Sequence, residues 1–487
     1  MKKCLFRFAG TGPAETKSSA GAVKMASVLL FLWFQNHPAR ANGYPPSFAP
    51  AQIYTPGTGA PTIEAGDFNG DGKPDLAVVN GGTNVSVLLG NGDGTFQTPI
   101  NSSVGINVSS LITGDFNHDG RLDLALADNG NNLAILLGNG GGTFQEITNY
   151  STSNDNNSGL TSYPTHLAVA DFNRDGNPDL ALANASWNNG TVLVFLGNGD
   201  GTLQPPTNYF CGETFSYRGD SWPAVCGTVF AGDFNGDGIA DLAVGNWFDP
   251  VPGGGPATIS MFFGNGDGTF QPAIVSRTTG LAVGCMAVGD FTGNSKLDMA
   301  LCNWVNSYTT PFLLGHGDGT FQTITNQFAG VGSYPSFAVP ADFNGDGKLD
   351  LAVLNPANTN VWILPGNGDG TFQGPFYFSV SGQPSALAVG DFNGDGRPDL
   401  AVAAPDGVAI LLNICPCAGV HLSVTQTNAG LVLSWPLNYT NFVLESAVSP
   451  VSTNWQSVAA SKTTYDGCCK IILPANRSQG FFRLRRP

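Results

Sequence analysis

At 487 residues, with 65 glycines, 42% hydrophobic and only 11% charged positions, the chain has material for a large core and a small second domain, in the composition of a turn-rich all-β protein. The net charge of −16 argues against nucleic acid and anionic membranes as partners, because both repel an acidic surface. Apolar runs are short, often alternating, and closed by Gly, Asn or Asp, so no long helical pattern competes.

The first expected element is a leader. Lys24 is followed by the apolar run Ala26 to Phe34 and then by Ala39-Arg40-Ala41, the layout of a secretory signal with small residues at its cleavage site. Residues 1–41 are therefore set apart as a signal peptide, and the protein is expected to be secreted or at the cell surface. The run is too short to span a bilayer, which argues against membrane insertion. The stretch before Lys24 exceeds an ordinary basic n-region, and Met25 offers an alternative start.

From Asp67 onward the pattern DFNxDGxxD, or a decayed copy, returns seven times at intervals of about fifty residues, beginning at Asp67, Asp115, Asp171, Asp233, Asp290, Asp342 and Asp391. In the first unit an apolar segment ends in Asp67-Phe68, the loop runs to Asp75, and Leu76 to Val79 follows as a strand. A short turn leads to Val85 to Leu89, then to Gly90-Asn91-Gly92-Asp93-Gly94, then to a fourth strand at Thr95-Phe96. Four antiparallel strands per repeat make one propeller blade, and a unit that cannot bury its own faces must stack on its neighbours. The GNGDG turn is missing after the seventh repeat. Ser47-Phe48, however, precedes Asp67 by the spacing at which Thr95-Phe96 precedes Asp115. The N-terminal segment is thus expected to supply the outer strand of the seventh blade, closing the ring and removing a free edge.

Within each loop, positions 1, 3, 5 and 9 carry side-chain oxygens, and position 7 varies as a backbone-carbonyl ligand would allow. The candidate ligand sets are Asp67, Asn69, Asp71, Lys73 and Asp75 in loop one; Asp115, Asn117, Asp119, Arg121 and Asp123 in loop two; and Asp171, Asn173, Asp175, Asn177 and Asp179 in loop three. Loop four has Asp233, Asn235, Asp237, Ile239 and Asp241; loop six has Asp342, Asn344, Asp346, Lys348 and Asp350; loop seven has Asp391, Asn393, Asp395, Arg397 and Asp399. Hard oxygen donors at spacing two with a glycine at position 6, and no His or Cys in the pattern, point to Ca²⁺. The bidentate Glu and the flanking helices of an EF-hand are missing. Loop five departs, with Asp290, Thr292, Asn294, Lys296 and Asp298 as its equivalents and Ser295 in place of the glycine. Six calcium sites are expected, the seventh being weak or absent.

These residues carry a resemblance. DFNGDGxxD joined to GNGDGTF resembles the FG-GAP or VCBS repeat of integrin α-subunit head domains and of many secreted bacterial proteins, over roughly residues 44–414. The resemblance implies a seven-bladed β-propeller with calcium between the first and second strands of a blade. It implies no single activity, since relatives include adhesins, lectin-like modules and accessory domains of lyases and phospholipases.

In an up-and-down blade, the calcium loops and GNGDG turns share one face, and the longer insertions fall on the other, clustered over blades three to five. They are rich in aromatics, among them Tyr209, Phe210, Trp187, Trp222, Trp247 and Trp304, the four tryptophans being the candidate ligand contacts for a glycan or protein. The same rings could instead only anchor their own loops. Cys211 and Cys226 close one insertion, and Cys285 and Cys302 flank loop five almost symmetrically; each pair is a candidate disulfide, with zinc the weaker alternative. Beyond Cys417, short alternating segments from Leu431 to Leu484 suggest a small β-sandwich over 418–487, resembling a C-terminal module of secreted bacterial proteins. No HExxH, GxSxG or P-loop occurs, and most carboxylates are committed to loops. A non-enzymatic calcium-binding module is the leading expectation, and a polysaccharide- or phosphodiester-cleaving propeller the alternative.

Overall fold

The computed structural model describes residues 45–414 apart from 58, 60–61, 129–130, 153–161, 187–189, 213, 218–219, 248–255, 282, 304–308, 328–334, 356 and 358, and beyond them seven strands between 423 and 485. The predicted leader lies outside the described residues. Two compact units are present: one holds residues 50–413, the other residues 45–49 and 414 onward.

The larger unit is an all-β propeller of seven four-stranded sheets. Blade one is built of Ile63–Gly66, Asp75–Asn80, Asn84–Leu88 and Ile100–Ser103, each antiparallel to the next. Blade two has Val108–Gly114, Asp123–Asp128, Asn132–Gly138 and Phe144–Ser151, and blade three has Ser162–Ala170, Asp179–Ser186, Thr191–Phe195 and Thr207–Phe210. Blade four has Val225–Gly232, Asp241–Trp247, Pro256–Phe262 and Ile274–Leu281, and blade five has Val283–Gly289, Asp298–Asn303, Thr309–Gly315 and Phe321–Gln327. Blade six has Phe337–Ala341, Asp350–Asn355, Asn360–Leu364 and Phe376–Ser379. Blade seven takes Ala386–Gly390, Asp399–Ala404 and Gly407–Leu411 from the end of the unit, and Gln52–Tyr54 pairs antiparallel with the last of these, Gln52 opposite Ile410 and Tyr54 opposite Val408. The first strands of successive blades neighbour one another, and that of blade seven returns to that of blade one.

Burial follows position in the blade. Second strands such as Asp75–Asn80 and Asp123–Asp128 are buried along their whole length, which is why they read as unbroken Leu-Ala-Val runs. Outer strands such as Ile100–Ser103 and Phe376–Ser379 alternate between partly buried and exposed residues. The cores form between blades: one cluster joins Phe172, Ala181 and Ala183 of blade three to Val229, Leu242 and Val244 of blade four. The Phe at loop position 2 is a wedge in this packing. Phe392, Phe68, Phe172, Phe234 and Phe291 each meet, edge to face, the Phe that opens the outer segment of the following blade: Phe96, Phe144, Phe270, Phe321 and Phe372.

Cys211 and Cys226 form a disulfide across the connection from blade three to blade four, and a short hairpin, Thr214–Tyr217 with Asp220–Pro223, lies between them. Cys285 is disulfide-bonded and sits directly opposite Cys302 in the first strand pair of blade five. In the smaller unit, Ser423–Thr427, Gly430–Pro436, Cys468–Leu473 and Thr463–Tyr465 form one sheet, and Gln456–Ser457, Val443–Ala447 and Phe481–Arg485 another.

Candidate functional site

Each loop joins the first strand of a blade to its second, so its carboxylates are set at one end of the sheet. In loop one the position-1 carboxylate, Asp67, accepts the N–H groups of Gly70 and Asp71 on Oδ1 at 2.8 and 3.1 Å and that of Gly72 on Oδ2 at 2.8 Å. Asn69 Oδ1 accepts from the N–H of Asp71, and Asp71 Oδ1 from that of Lys73, so the chain folds back around its own acceptors. Position 6 needs a left-handed backbone, with Gly72 at φ 79°; loop five puts Ser295 there at φ 64° and keeps the same turn, Asp290 accepting from the N–H groups of Asn294 and Ser295.

Position 9 does something its sequence context does not announce. Asp75 is fully buried and accepts one backbone N–H on each oxygen, Phe68 at 2.9 Å and Gly90 at 2.7 Å, thereby tying its own loop to the GNGDG turn. Asp123, Asp179, Asp241 and Asp298 repeat the clamp with Phe116 and Gly138, Phe172 and Gly197, Phe234 and Gly264, and Phe291 and Gly315. Asp350 holds the N–H groups of Asn344 and Gly366. Asp399 holds those of Phe392 and, where no turn exists, Asn413. The first turn glycine is required by close approach, since a Cβ at Gly90 would collide with the Pro74 carbonyl.

Burial drives the carboxyls of the clamp upward, with the two N–H donors pulling back: Asp75, Asp123 and Asp241 to about 6, Asp179 to about 7 and Asp399 to about 9. Asp67 and Asp71 raise Asp75 further by repulsion, so three carboxylates lie within electrostatic reach of one another. Asp298 and Asp350 are also raised, chiefly by burial.

Among the described residues, no three Asp, Glu, His or Cys side chains close on one point as a finished metal cluster, because the loop carboxylates are turned onto backbone N–H groups. The donor set is nonetheless all oxygen, multiply anionic and glycine-turned, which fits a hard cation of the calcium type in kind and charge. Exposed cation partners offset part of that charge at position 5: Lys73 to Asp71 at 3.0 Å, Arg121 to Asp119 at 3.5 Å and Arg397 to Asp395 at 4.0 Å. Such surface pairs are worth about 0–1 kcal/mol and would yield to a divalent ion. In loop five, the Thr292 hydroxyl lies 3.4 Å from Asp290 Oδ1 and 3.3 Å from Asp298 Oδ2, bridging its two remaining carboxylates with a protein donor.

At the opposite ends of the sheets, Trp247 is the last residue of the strand that begins with Asp241; it is partly buried beside Gly227. Trp222 pairs with Phe215 in the disulfide-tied hairpin. Trp187 and Trp304 lie outside the described residues. Tyr209 departs from the expectation for the ligand face: it belongs to the outer strand of blade three, where its hydroxyl accepts the Phe270 N–H at 3.2 Å and its ring packs on Phe262 and Phe270. Tyr54 and Tyr150 make the same link, to the N–H groups of Phe96 and Leu203. Residues missed by the sequence reading include Tyr54, Tyr150, Asn413 and Glu64; for the last, aligned repeats show a lone acid where Ile112, Ala168, Phe230, Ala287, Val339 and Ala388 stand. No helix among the described residues is long and apolar enough to cross a membrane.

Comparison with known proteins gives this architecture a family. Phosphatidylinositol-glycan-specific phospholipase D from Bos taurus is 29% identical over 147 residues, 28% of this chain and 14% of that protein. The Rattus norvegicus protein is 38% identical over 97 residues, 18% and 10%, and the Homo sapiens protein 37% over 103 residues, 20% and 12%. The chain thus matches only about a seventh or less of these relatives' length. Among solved structures, BBS1N in complex with ARL6DN superposes with a TM-score of 0.52 at 11% identity, covering 77% of this chain and 98% of that one, a likeness of fold alone. An Agrocybe aegerita lectin that recognises non-reducing terminal N-acetylglucosamine gives 0.47 at 21% identity, over 72% and 85%. The FG-GAP-like repeat matches residues 67–126, 115–182, 171–244, 302–353 and 342–402, and the FG-GAP repeat matches 384–431; loop five falls in the gap between these spans. With more than half its length so matched, and seven blades each carrying the loop, the chain belongs to the FG-GAP-like repeat family.

Proposed function

We propose that this protein is an exported, calcium-stabilised propeller that acts as a binding or adhesion module for a glycan or protein ligand. FG-GAP propellers are typically non-enzymatic, and the similarity to a phospholipase D is weak and partial. The observation that carries the reading is the disulfide-tied hairpin at the blade three to four junction. It places Phe215 opposite Trp222 and Tyr217 opposite Asp220 at the end of the sheets away from the carboxylate loops. A tethered extension of a rigid scaffold whose sequence carries three aromatic residues and an Asp is of the composition that binds sugars or peptides. The oxygen-only loops support Ca²⁺ in six blades, leaving loop five metal-poor. The pairing of Gln52–Tyr54 with blade seven supports an N-terminal strand that closes the ring, and the two last sheets support a small β-sandwich over 418–487.

A glycan array probed with the secreted chain, with calcium and with chelator, tests the function. Calcium-dependent retention without product, lost in Trp222→Ala and Trp247→Ala, is the expected result. Release of oligosaccharide or of a phosphodiester product would replace the binding module with the enzymatic alternative.

A further inference from the structure

We propose that the loops form a directed, coupled ring in which a cation held by one loop orders the turn of the following blade, and that Asn413 is the residue that carries the coupling through blade seven. The inference rests on the reading of the loops as cation sites.

The link is the peptide of the position-2 Phe. Its N–H is held by the position-9 Asp of its own loop, as Phe116 is by Asp123 and Phe172 by Asp179; in loop six Asp350 instead takes the Asn344 N–H, which shares a peptide group with the Phe343 carbonyl. Its C=O accepts from the last glycine of the next blade's turn: Phe392 from Gly94 at 2.9 Å, Phe116 from Gly201 at 2.9 Å, Phe172 from Gly268 at 3.1 Å, Phe234 from Gly319 at 3.1 Å and Phe68 from Gly142 at 3.4 Å. The first glycine of that same turn is held by the position-9 Asp of the next blade, which is itself a candidate ligand there. At these five junctions order therefore passes from loop to Phe carbonyl, to turn, to Asp, to the next loop, toward the higher-numbered blade and from seven to one.

Blade seven lacks the turn, and one residue replaces it. The Asn413 N–H donates to Asp399 Oδ1 at 2.6 Å, and its Nδ2 donates to the Phe343 carbonyl of loop six at 2.9 Å. Asn413 is buried, so neither bond is incidental to solvent. Two side chains reinforce the same direction. His118 and Arg174 occupy position 4 at φ 58° and 62°, a region that disfavours residues with a Cβ. His118 Nε2 lies 2.9 Å from Asn177 Oδ1 of the next loop, and Arg174 Nη2 donates to the Gly238 carbonyl of the next at 3.0 Å. A contiguous network of paired donors couples separate sites when binding at one orders the bonds that hold the next.

Amide hydrogen exchange on the full chain, stripped with chelator and then supplied with CaCl2, tests this. Asp119→Asn, in loop two, is expected to raise exchange about tenfold in the turns at 138–144 and 197–203 while 90–96 keeps its wild-type protection. A rise confined to blade two, or equal in blades one and three, overturns the coupling. Calorimetric titration of Asn413→Leu supplies a second arm: the wild-type isotherm is cooperative, and the variant loses that steepness while still binding. Independent sites in the wild type overturn the proposal. No calcium-dependent protection anywhere would remove the cation sites themselves, a different outcome from uncoupled binding.

Discussion

The same residue type does two jobs within nine positions. Asp237 is an exposed acceptor at position 5, whereas Asp241 is a buried clamp on two backbone donors. An amide at the clamp leaves a buried N–H facing another N–H, so Asp241→Asn is expected to destabilise by about 2–3 kcal/mol with or without calcium. Asp298→Asn should cost as much although loop five is proposed to be metal-poor, and Asp237→Asn about 0.5 kcal/mol or less in chelator. Denaturant titration of the three variants checks the order. Glu64 offers a second test. It is partly buried, has no hydrogen-bond partner among the described residues, and desolvation raises its carboxyl from 4.5 to about 8. The folded state thus prefers it protonated. Its contribution is complete below about pH 4.5 and fades as pH rises toward about 8. Glu64→Gln is expected to remove that fade, gaining on the order of 2 kcal/mol over the wild type at alkaline pH, less than the full shift implies because water reaches part of the side chain. His166 acts in the opposite direction: burial lowers it from 6.5 to about 4 despite its bond to the Val229 carbonyl, so its contribution holds above the ordinary value and is lost on acidification.

At the scale of elements, the blade was legible and its joints were not. Apolar runs such as Leu-Ala-Val or Leu-Ala-Leu after each position-9 Asp announce a strand buried on both faces, and the structure places them second in every sheet. Tyr209 and Phe210, adjacent in the chain, looked alike as loop aromatics. A strand turns them to opposite sides, one into the blade four contact and the other 65% exposed. Tyr209→Phe keeps the ring packing and removes the acceptor of the Phe270 N–H, so a loss of about 1 kcal/mol in thermal or chemical unfolding is expected. The Cys211–Cys226 disulfide closes a span of 15 residues, for which chain entropy gives roughly 3 kcal/mol. Cys211→Ser with Cys226→Ser is expected to abolish ligand retention while the calcium response remains, since the hairpin and the loops lie at opposite ends of the sheets.

For the whole molecule, removal of the proposed cations is the decisive perturbation. Each filled loop adds about 2.7 kcal/mol when the ion is at a hundred times its dissociation constant. Six loops stripped together should lower the melting temperature on the order of 10 °C or more. Scanning calorimetry with and without chelator measures it, and an unchanged melting temperature would dispose of the calcium reading. The lack of a matching family span between 244 and 302 has a local counterpart. Thr292 bridges the carboxylates of loop five with a hydroxyl, so this blade is expected to change least on chelation.

The amino-acid sequence determined the number of blades, the place of each loop and the chemistry of its donors, because a nine-residue loop is built from near neighbours and needs specific side chains and glycines at set offsets. Only the tertiary structure decided which acids fold their own loop and which clamp it to the neighbouring turn, that Phe carbonyls join one blade to the next, and that Asn413 stands in for a missing turn. Those joints are made by backbone N–H and C=O groups, which every residue carries and which leave no mark in the sequence until packing brings them together.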